Sequence, residues 1–399
     1  MKKTLHRLEL EEVTINGFKS IEGLSLKLNT GLNILIGKNG SGKSNFLESL
    51  NDALSISGFR RASIKTAVLH FMADNGVKIR MELDKRSRIP EADSLDDDDV
   101  IEDFDSRIKT EIRIYRDEEN IYDNIRNVLP SSVVSGVSSG SLSTILRRLD
   151  YDWLMPKYLT FQIPQTLDCI DIAGIITVSF DSDGDVSWSE LNTLQLVEDT
   201  FLSLEAQTGY ERENVSELNR KTIIKRLTIP EIVKESLRMY SPIADIRYGE
   251  NINIYHEDKG LTIENIKLEF LINKTWLPWS QLSDSTKRIF YLITEILMHP
   301  SSLILLEEPE LGVHPHQFGQ IMEFIREAAS KRQIIISTHS PIALNHLETD
   351  ELDRILIAKY DRKRGTQIRH LSPSQKKKGK IYMDRIGQLS DFWMLSDLE

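Results

Sequence analysis

The sequence predicts an α/β protein with N-terminal antiparallel strands, a mostly parallel core sheet flanked by helices, and a mixed, partly helical insertion. Three observations carry that expectation. The stretch "LNILIGKNGSGKS" (Leu32–Ser44) passes from an aliphatic run through a glycine loop into a helical pattern. Near the C-terminus, the aliphatic runs Leu303–Leu306 and Ile334–Ile336 are separated by Phe318, Ile321, Met322, Ile325 and Ala328 at helical spacing. Strands alternating with helices in this way imply parallel pairing. Finally, 399 residues exceed the usual size of one domain, leaving room for a large core and an inserted subdomain.

The elements follow in order. "HRLELEEVTING" and "LSLKLNTGLNILIG" alternate or continue their aliphatics with glycine turns between them, so a sheet opens the chain. Phe46, Leu47, Leu50, Ala53 and Leu54 form one apolar stripe, which predicts a helix from Lys43. The acidic run Glu91–Asp105 and the Ser/Gly-rich stretch Ser131–Ser143 read as solvated loops, with a strand and turn in "TEIRIYRDEENIYDNI" between them. Asn192–Arg238 reads as mainly helical, and "NINIYHEDKGLTIENIKLEFLI" returns to strands. A helix is expected over Ser285–Met298, and "DRILIAKYD" and "TQIRHL" are last strands before a short helical end. The organisation expected is a head in split lobes, residues 1–60 and 270–399, with 61–269 as an insertion or lid.

Composition narrows the function. With 50 Lys plus Arg against 61 Asp plus Glu, the net charge of −11 argues against a broadly basic nucleic-acid coat. The single cysteine, Cys169, cannot form an internal disulfide or a four-cysteine zinc site, which suits a reducing compartment. No apolar run reaches the roughly 18 residues of a membrane span, and Met1–Leu10 lacks a signal-peptide core, so a soluble, cytoplasmic protein with no membrane partner is expected.

"GKNGSGKS", Gly37–Ser44, fits G-x-x-x-x-G-K-[ST] between a strand and a helix, the context that pattern requires. Chance would give roughly one match in 50 to 100 chains of this length. The glycines let backbone N–H groups turn toward phosphate oxygens, and the helix N-terminus adds partial positive charge. Lys43 would then reach the β and γ phosphates of a nucleotide, and the Ser44 hydroxyl would hold Mg²⁺. The bland alternative is a glycine-rich turn before a helix.

"LILLEEPE" places Glu307 and Glu308 directly after four aliphatics. Carboxylates at the C-terminal end of a parallel strand project into the crevice where such sheets bind ligands. Glu307 is expected to contact Mg²⁺, through water, and Glu308 to polarise the water attacking the γ phosphate; the metal and Lys43 make two adjacent negative charges tolerable. His339, in "IIISTHSP", is delivered to the same edge, where it could hydrogen-bond a γ phosphate. Ser283 and Asp284 in "QLSDSTKRIF" precede a helix and, alone, form only a capping pattern.

Other stretches read as structure. "SFDSDGDVSW" offers Asp181, Asp183 and Asp185 to calcium, but Gly184 stands one place too early for an EF-hand, and the flanks predict a β-hairpin. His314 and His316 are too few for a metal site. Lys376, Lys377, Lys378 and Lys380 read as solvated surface, with a grip on a phosphate backbone as the alternative. Trp276 and Trp279 in "WLPWS" read as core or interface.

Taken together and in this order, "GKNGSGKS", "QLSDSTKR", "LILLEEPE" and "IIISTHSP" resemble the ABC-type ATPase heads of the RecF, SMC and Rad50 group. They look most like the bacterial branch with an "EEPE" Walker B, which includes overcoming-lysogenization-defect nucleases and ATPase subunits of antiphage systems such as Septu and PARIS. "LELEEVTINGFKSIEGLSLKL" and "IGQLSDFW" look like that branch too, so the resemblance covers about the first 60 and last 140 residues. It implies two heads sandwiching two ATP molecules, as a homodimer or within a higher oligomer. Gly37, Asn39, Gly40, Ser41, Gly42, Lys43, Ser44 and Asn45 would form the Walker A site. Ser283, Asp284 and Ser285 would form a signature acting on the partner's nucleotide, with Ser285 where the family usually has glycine. Glu307 takes the Walker B place, Glu308 that of the catalytic base and His339 that of the switch histidine. Gln162 in "YLTFQIPQ", with Gln165 as its neighbour, is the candidate Q-loop residue and metal contact. The 60 residues after His339 are too few for an appended nuclease domain. The resemblance therefore implies an ATP- and Mg²⁺-dependent ATPase working with a separately encoded effector in defence or, as the alternative, a RecF-like ATPase that binds DNA in repair.

Overall fold

The double glutamate of "LELEEVTI" sets the first structural detail. In β1 (His6–Phe18), Leu8 and Leu10 are buried, but so are Val13 and Ile15, so the inward-facing set shifts by one residue in between. The pairing register of β1 with β4 (Thr66–Ala73) shifts between Leu10 and Glu12. This bulge keeps the apolar residues on the core face on both sides of it.

The computed structural model describes residues 5–55, 59, 62–87, 108–123, 145–147, 149–153, 155–160, 174–180, 186–191, 194–209, 215, 217–257 and 260–395. The chain forms two compact units, one of Met1–Leu159, Pro300–Pro309 and Ile325–Glu399, the other of Thr160–His299 and Glu310–Phe324. The first unit contains β1, β2 (Ile21–Lys27), β3 (Leu32–Ile36) and α1 (Lys43–Ala53), followed by β4, β5 (Lys78–Ser87), β6 (Ile108–Arg116) and β7 (Glu119–Asp123), then β8 (Tyr151–Asp152) and β9 (Lys157–Thr160). The sheet thus continues past residue 60, the boundary set for the first lobe, because β4 pairs along most of β1 and β5 to β7 add to it.

The second unit carries a hairpin of β10 (Gly174–Phe180) and β11 (Val186–Leu191), helices α2 (Gln195–Thr208), α3 (Arg220–Arg226) and α4 (Glu231–Tyr240), then β12 (Asp245–Tyr248), β13 (Asn253–Glu257), β14 (Gly260–Ile266), β15 (Leu268–Ile272), β16 (Thr275–Pro278) and α5 (Asp284–Met298). The strands form two antiparallel sheets, β11-β10-β14-β13 and β12-β15-β16. Both α2 and α4 pack on α5. Phe270, Trp279 and Phe290 make an aromatic cluster with ring centroids 5.0 to 5.7 Å apart, in which Phe290 meets the other two in the edge-on geometry that aromatic quadrupoles favour. Trp279 is therefore core, while Trp276 lies against the Arg247 guanidinium at 4.1 Å.

The C-terminal part supplies β17 (Leu303–Glu307), α6 (Pro315–Ala329), β18 (Gln333–Thr338), β19 (Ile355–Asp361), β20 (Gly365–His370), α7 (Pro373–Arg385) and α8 (Leu389–Leu395). The large sheet runs β7-β6-β5-β4-β1-β2-β20-β19-β3-β18-β17-β9. Its strands β19, β3, β18 and β17 are mutually parallel and the others from β7 to β20 antiparallel. The parallel strands β3 and β17 are buried along their whole length, as expected where both faces are covered. The Gln333 amide, almost fully buried, donates to the carbonyls of Leu10 and Asn29 and accepts from the Leu10 N–H, tying β18 to β1. Among the described residues no helix is long and apolar enough to cross a membrane.

Candidate functional site

Parallel strands end together, and here their ends fall within one residue of register. Ile36 of β3 pairs with Thr338 of β18, and Ser337 of β18 with Glu307 of β17. The residues that follow, Gly37, His339 and Glu308, therefore leave the sheet side by side at one edge, the position where ligands of such sheets bind.

The glycine loop is shaped by close approaches. A Cβ on Gly37 would stand 2.4 Å from the Ala358 carbonyl oxygen. Gly42 has a φ of +93°, and a Cβ there would stand 2.0 Å from Thr366 Oγ1. Both positions exclude larger residues. Gly42 is also the N-cap of α1 and offers no side chain to the helix's first N–H groups. Lys43, 5% exposed, spans the loop and donates to the carbonyls of Gly37 at 2.8 Å and Lys38 at 3.2 Å. Ser41 Oγ is buried without a hydrogen-bond partner. Behind the loop, Asn45 Nδ2 donates to Ser20 Oγ at 2.5 Å, and the hydroxyls of Ser20 and Thr366 are hydrogen-bonded at 2.7 Å.

Glu307 is 3% exposed. Its Oε2 accepts from the Tyr158 hydroxyl at 2.5 Å, while Oε1 is buried with no hydrogen-bond partner. A buried carboxylate oxygen left unpaired is costly unless a cation or donor meets it. A hard divalent cation suits this donor set, since Mg²⁺ takes one or two carboxylates together with hydroxyl, water and phosphate oxygens. Burial, and then the hydrogen bond and charge of Glu307, keep the Tyr158 phenol protonated well above the ordinary tyrosine range. Glu308 adopts a φ of +44°, the left-handed region, while its N–H donates to the Ser337 carbonyl at 2.9 Å. Its Oε1 lies 3.8 Å from His339 Nδ1.

In the second unit, Ser283 caps α5 by accepting from the Thr286 N–H at 3.2 Å and lies 2.8 Å from Thr286 Oγ1. Ser283 and Asp284 are exposed at the helix start. Ser285 donates to Gln317 Oε1 on α6 at 2.9 Å, which turns its hydroxyl onto the neighbouring helix.

A model of the AAA ATPase domain family matches residues 9–131. A second family model, described as AAA domain, putative AbiEii toxin, Type IV TA system, matches residues 241–345, which span α5, β17 and β18. Both models that match are of AAA-type domains, so the chain carries an ATPase domain. No curated protein gives a significant match. Similar solved structures include an SMC head bound to the C-winged helix domain of ScpA, 13% identical with a TM-score of 0.49, covering 92% of this chain and 99% of that one. Another is the SMC head domain from Thermotoga maritima, 11% identical with a TM-score of 0.44, covering 91% and 99%. A third is an Smc head with an extended coiled coil bound to the C-terminal domain of ScpA derived from Pyrococcus furiosus, 12% identical with a TM-score of 0.48, covering 95% and 100%.

In this ATPase, Gly37 to Asn45, Glu307, Glu308 and His339 belong to the first compact unit and Ser283 to Ser285 to the second. Gln162 and Gln165 lie outside the described residues, as do Asp181, Asp183 and Asp185. His316 N–H donates to His314 Nδ1, and no group of three or more metal-ligating side chains occurs among the described residues. Sequence reasoning missed Tyr158, Thr366 and Gln317. No pattern marks them, because each acts through a contact between distant segments: Tyr158 is 149 positions from Glu307, and Thr366 is 346 from Ser20.

Proposed function

We propose that this ATPase binds Mg²⁺ and ATP at the Gly37–Asn45 loop, hydrolyses ATP slowly, and pairs with a second copy through a shared ATP sandwich. In that state it gates a separately encoded effector in bacterial antiphage defence, working in the cytoplasm. The observation that carries the catalytic part is the side-by-side exit of Gly37, His339 and Glu308 from three registered parallel strands.

Each group then has a role. Lys43 exchanges its bonds to the loop carbonyls for β and γ phosphate oxygens. Ser44 and Glu307 would hold Mg²⁺, which supplies charge neutralisation at those oxygens. Glu308 takes a proton from the attacking water, with His339 beside it to contact the γ phosphate. Ser283, at an exposed helix N-terminus, is suited to contact the partner copy's γ phosphate. With the Ser285 hydroxyl held by Gln317, the position that is usually glycine keeps its side chain turned aside.

The test is affinity purification of the Glu308→Gln variant from its own host with ATP and Mg²⁺, with Lys43→Ala as the control that cannot bind nucleotide. A stoichiometric protein partner retained only by the first variant supports effector gating; retention by both, or by neither, counts against it. A RecF-like reading has one observation in its favour: Lys377, Lys378 and Lys380 are exposed along α7. It requires DNA binding that stimulates hydrolysis and weakens steeply with salt.

A further inference from the structure

Glu307 ends β17 with a side chain one methylene longer than an aspartate's, and that length has to be accommodated. A glutamate in this position has one more rotatable bond to hold, and two oxygens to satisfy at 3% exposure. We propose that Tyr158 is a positioning residue for the metal carboxylate: its hydroxyl occupies Glu307 Oε2, and thereby fixes the side chain with Oε1 free for the cation. The proposal rests on the metal-binding role assigned to Glu307.

The geometry gives the reasons. Tyr158 sits on β9, the edge strand hydrogen-bonded to β17, so its ring reaches Glu307 from the next strand and not from the loops. The contact is short, 2.5 Å, as expected for a hydroxyl donating to a carboxylate. The donor is neutral. A lysine or arginine in its place would pair with the carboxylate and compete with a cation, whereas a phenol satisfies one oxygen and leaves the full negative charge in place. One oxygen is thus committed and the other is left buried and unpaired, which is the arrangement expected of a ligand fixed in advance of its metal.

The experiment measures binding of a fluorescent ATP analogue, without turnover, as Mg²⁺ is titrated and again in EDTA. The proteins are the wild-type chain, Tyr158→Phe, Glu307→Asp, the double variant and Glu307→Gln. Phenylalanine keeps the ring packing and removes only the hydroxyl. Tyr158→Phe should raise the Mg²⁺ concentration for half-maximal binding about 3- to 10-fold while leaving binding in EDTA and the melting temperature close to wild type. In the Glu307→Asp background, where the shorter side chain gives up the phenol, the same substitution should add less than 2-fold. A Tyr158→Phe midpoint within 2-fold of wild type overturns the proposal, as do equal losses with and without Mg²⁺, which mark a structural residue. An unchanged Mg²⁺ dependence in Glu307→Gln overturns the assignment of Glu307 itself, and is read independently of Tyr158.

Discussion

Gly42 and Thr366 are packed so closely that a methyl group on the glycine would stand 2.0 Å from the threonine hydroxyl oxygen. One begins the helix after the glycine loop, and the other lies on β20, more than 300 residues later in the chain. Gly42→Ala should therefore be penalised twice, by the steric conflict and by its left-handed φ, which alone costs about 1–3 kcal/mol. The expected result is at least tenfold weaker ATP binding together with a lower urea midpoint. Wild-type affinity in this variant would mean that the loop does not need its observed shape.

Glu308 combines a φ of +44° with the proposed role of general base. Glycine relieves that backbone strain, so Glu308→Gly should stabilise the fold by about 1 kcal/mol while abolishing phosphate release. Glu308→Gln keeps the side-chain shape and should lower turnover by about 10²-fold or more while retaining bound ATP. Wild-type hydrolysis by the glutamine variant would remove Glu308 from the mechanism.

Gln317 holds the Ser285 hydroxyl. If this bond keeps the serine clear of the partner's phosphates, Gln317→Ala should slow hydrolysis several-fold in the wild-type background and have little effect on Ser285→Gly. Steady-state ATPase rates of the four proteins form a double-mutant cycle, and additive effects would show that the two side chains act separately.

Asp361 predicts a pH dependence. The backbone N–H groups of Lys363 and Arg364 each donate to its Oδ1 at 2.9 Å and hold its carboxyl below the usual range. A carboxyl depressed on folding stabilises the native state above the unfolded value of about 4, and the contribution is lost as pH falls through the lower folded value. Asp361→Ala should lower the melting temperature at pH 7, and its difference from wild type should shrink as pH falls below about 4. Asp361→Asn, which keeps an acceptor oxygen, should lose less. A difference that stays constant down to pH 2 would contradict the ionic origin.

Those elements whose information is local were legible in the sequence. The loop Gly37–Ser44, α1 with its buried Phe46, Leu47 and Leu50, and the buried strands before Glu308 and His339 follow from short-range periodicity and turn chemistry. In α6 the inner face includes Phe324 and ends at Ala329, with Ala328 only partly buried, a small offset that periodicity alone does not resolve. The expected boundary at residue 60 differs from the division of the folded units because β4 resembles any half-buried antiparallel strand; its pairing with β1 is a long-range fact. Tyr158 was invisible for the same reason: a tyrosine in "KYLT" reads as an ordinary strand residue until β9 is placed beside β17.

The position of β3 has a consequence for synthesis. It is the third strand made, yet its partners β18 and β19 lie about 300 residues downstream. While the ribosome is still translating the middle of the protein, the strand that leads into the glycine loop has neither native neighbour, and at 5–20 residues per second that interval lasts about 15 to 60 s. An aliphatic segment waiting that long with both edges unpaired is a natural client for a chaperone. Completion of the loop that precedes Lys43 then becomes a late event in the life of each molecule, one that waits until the distant ends of the polypeptide have met.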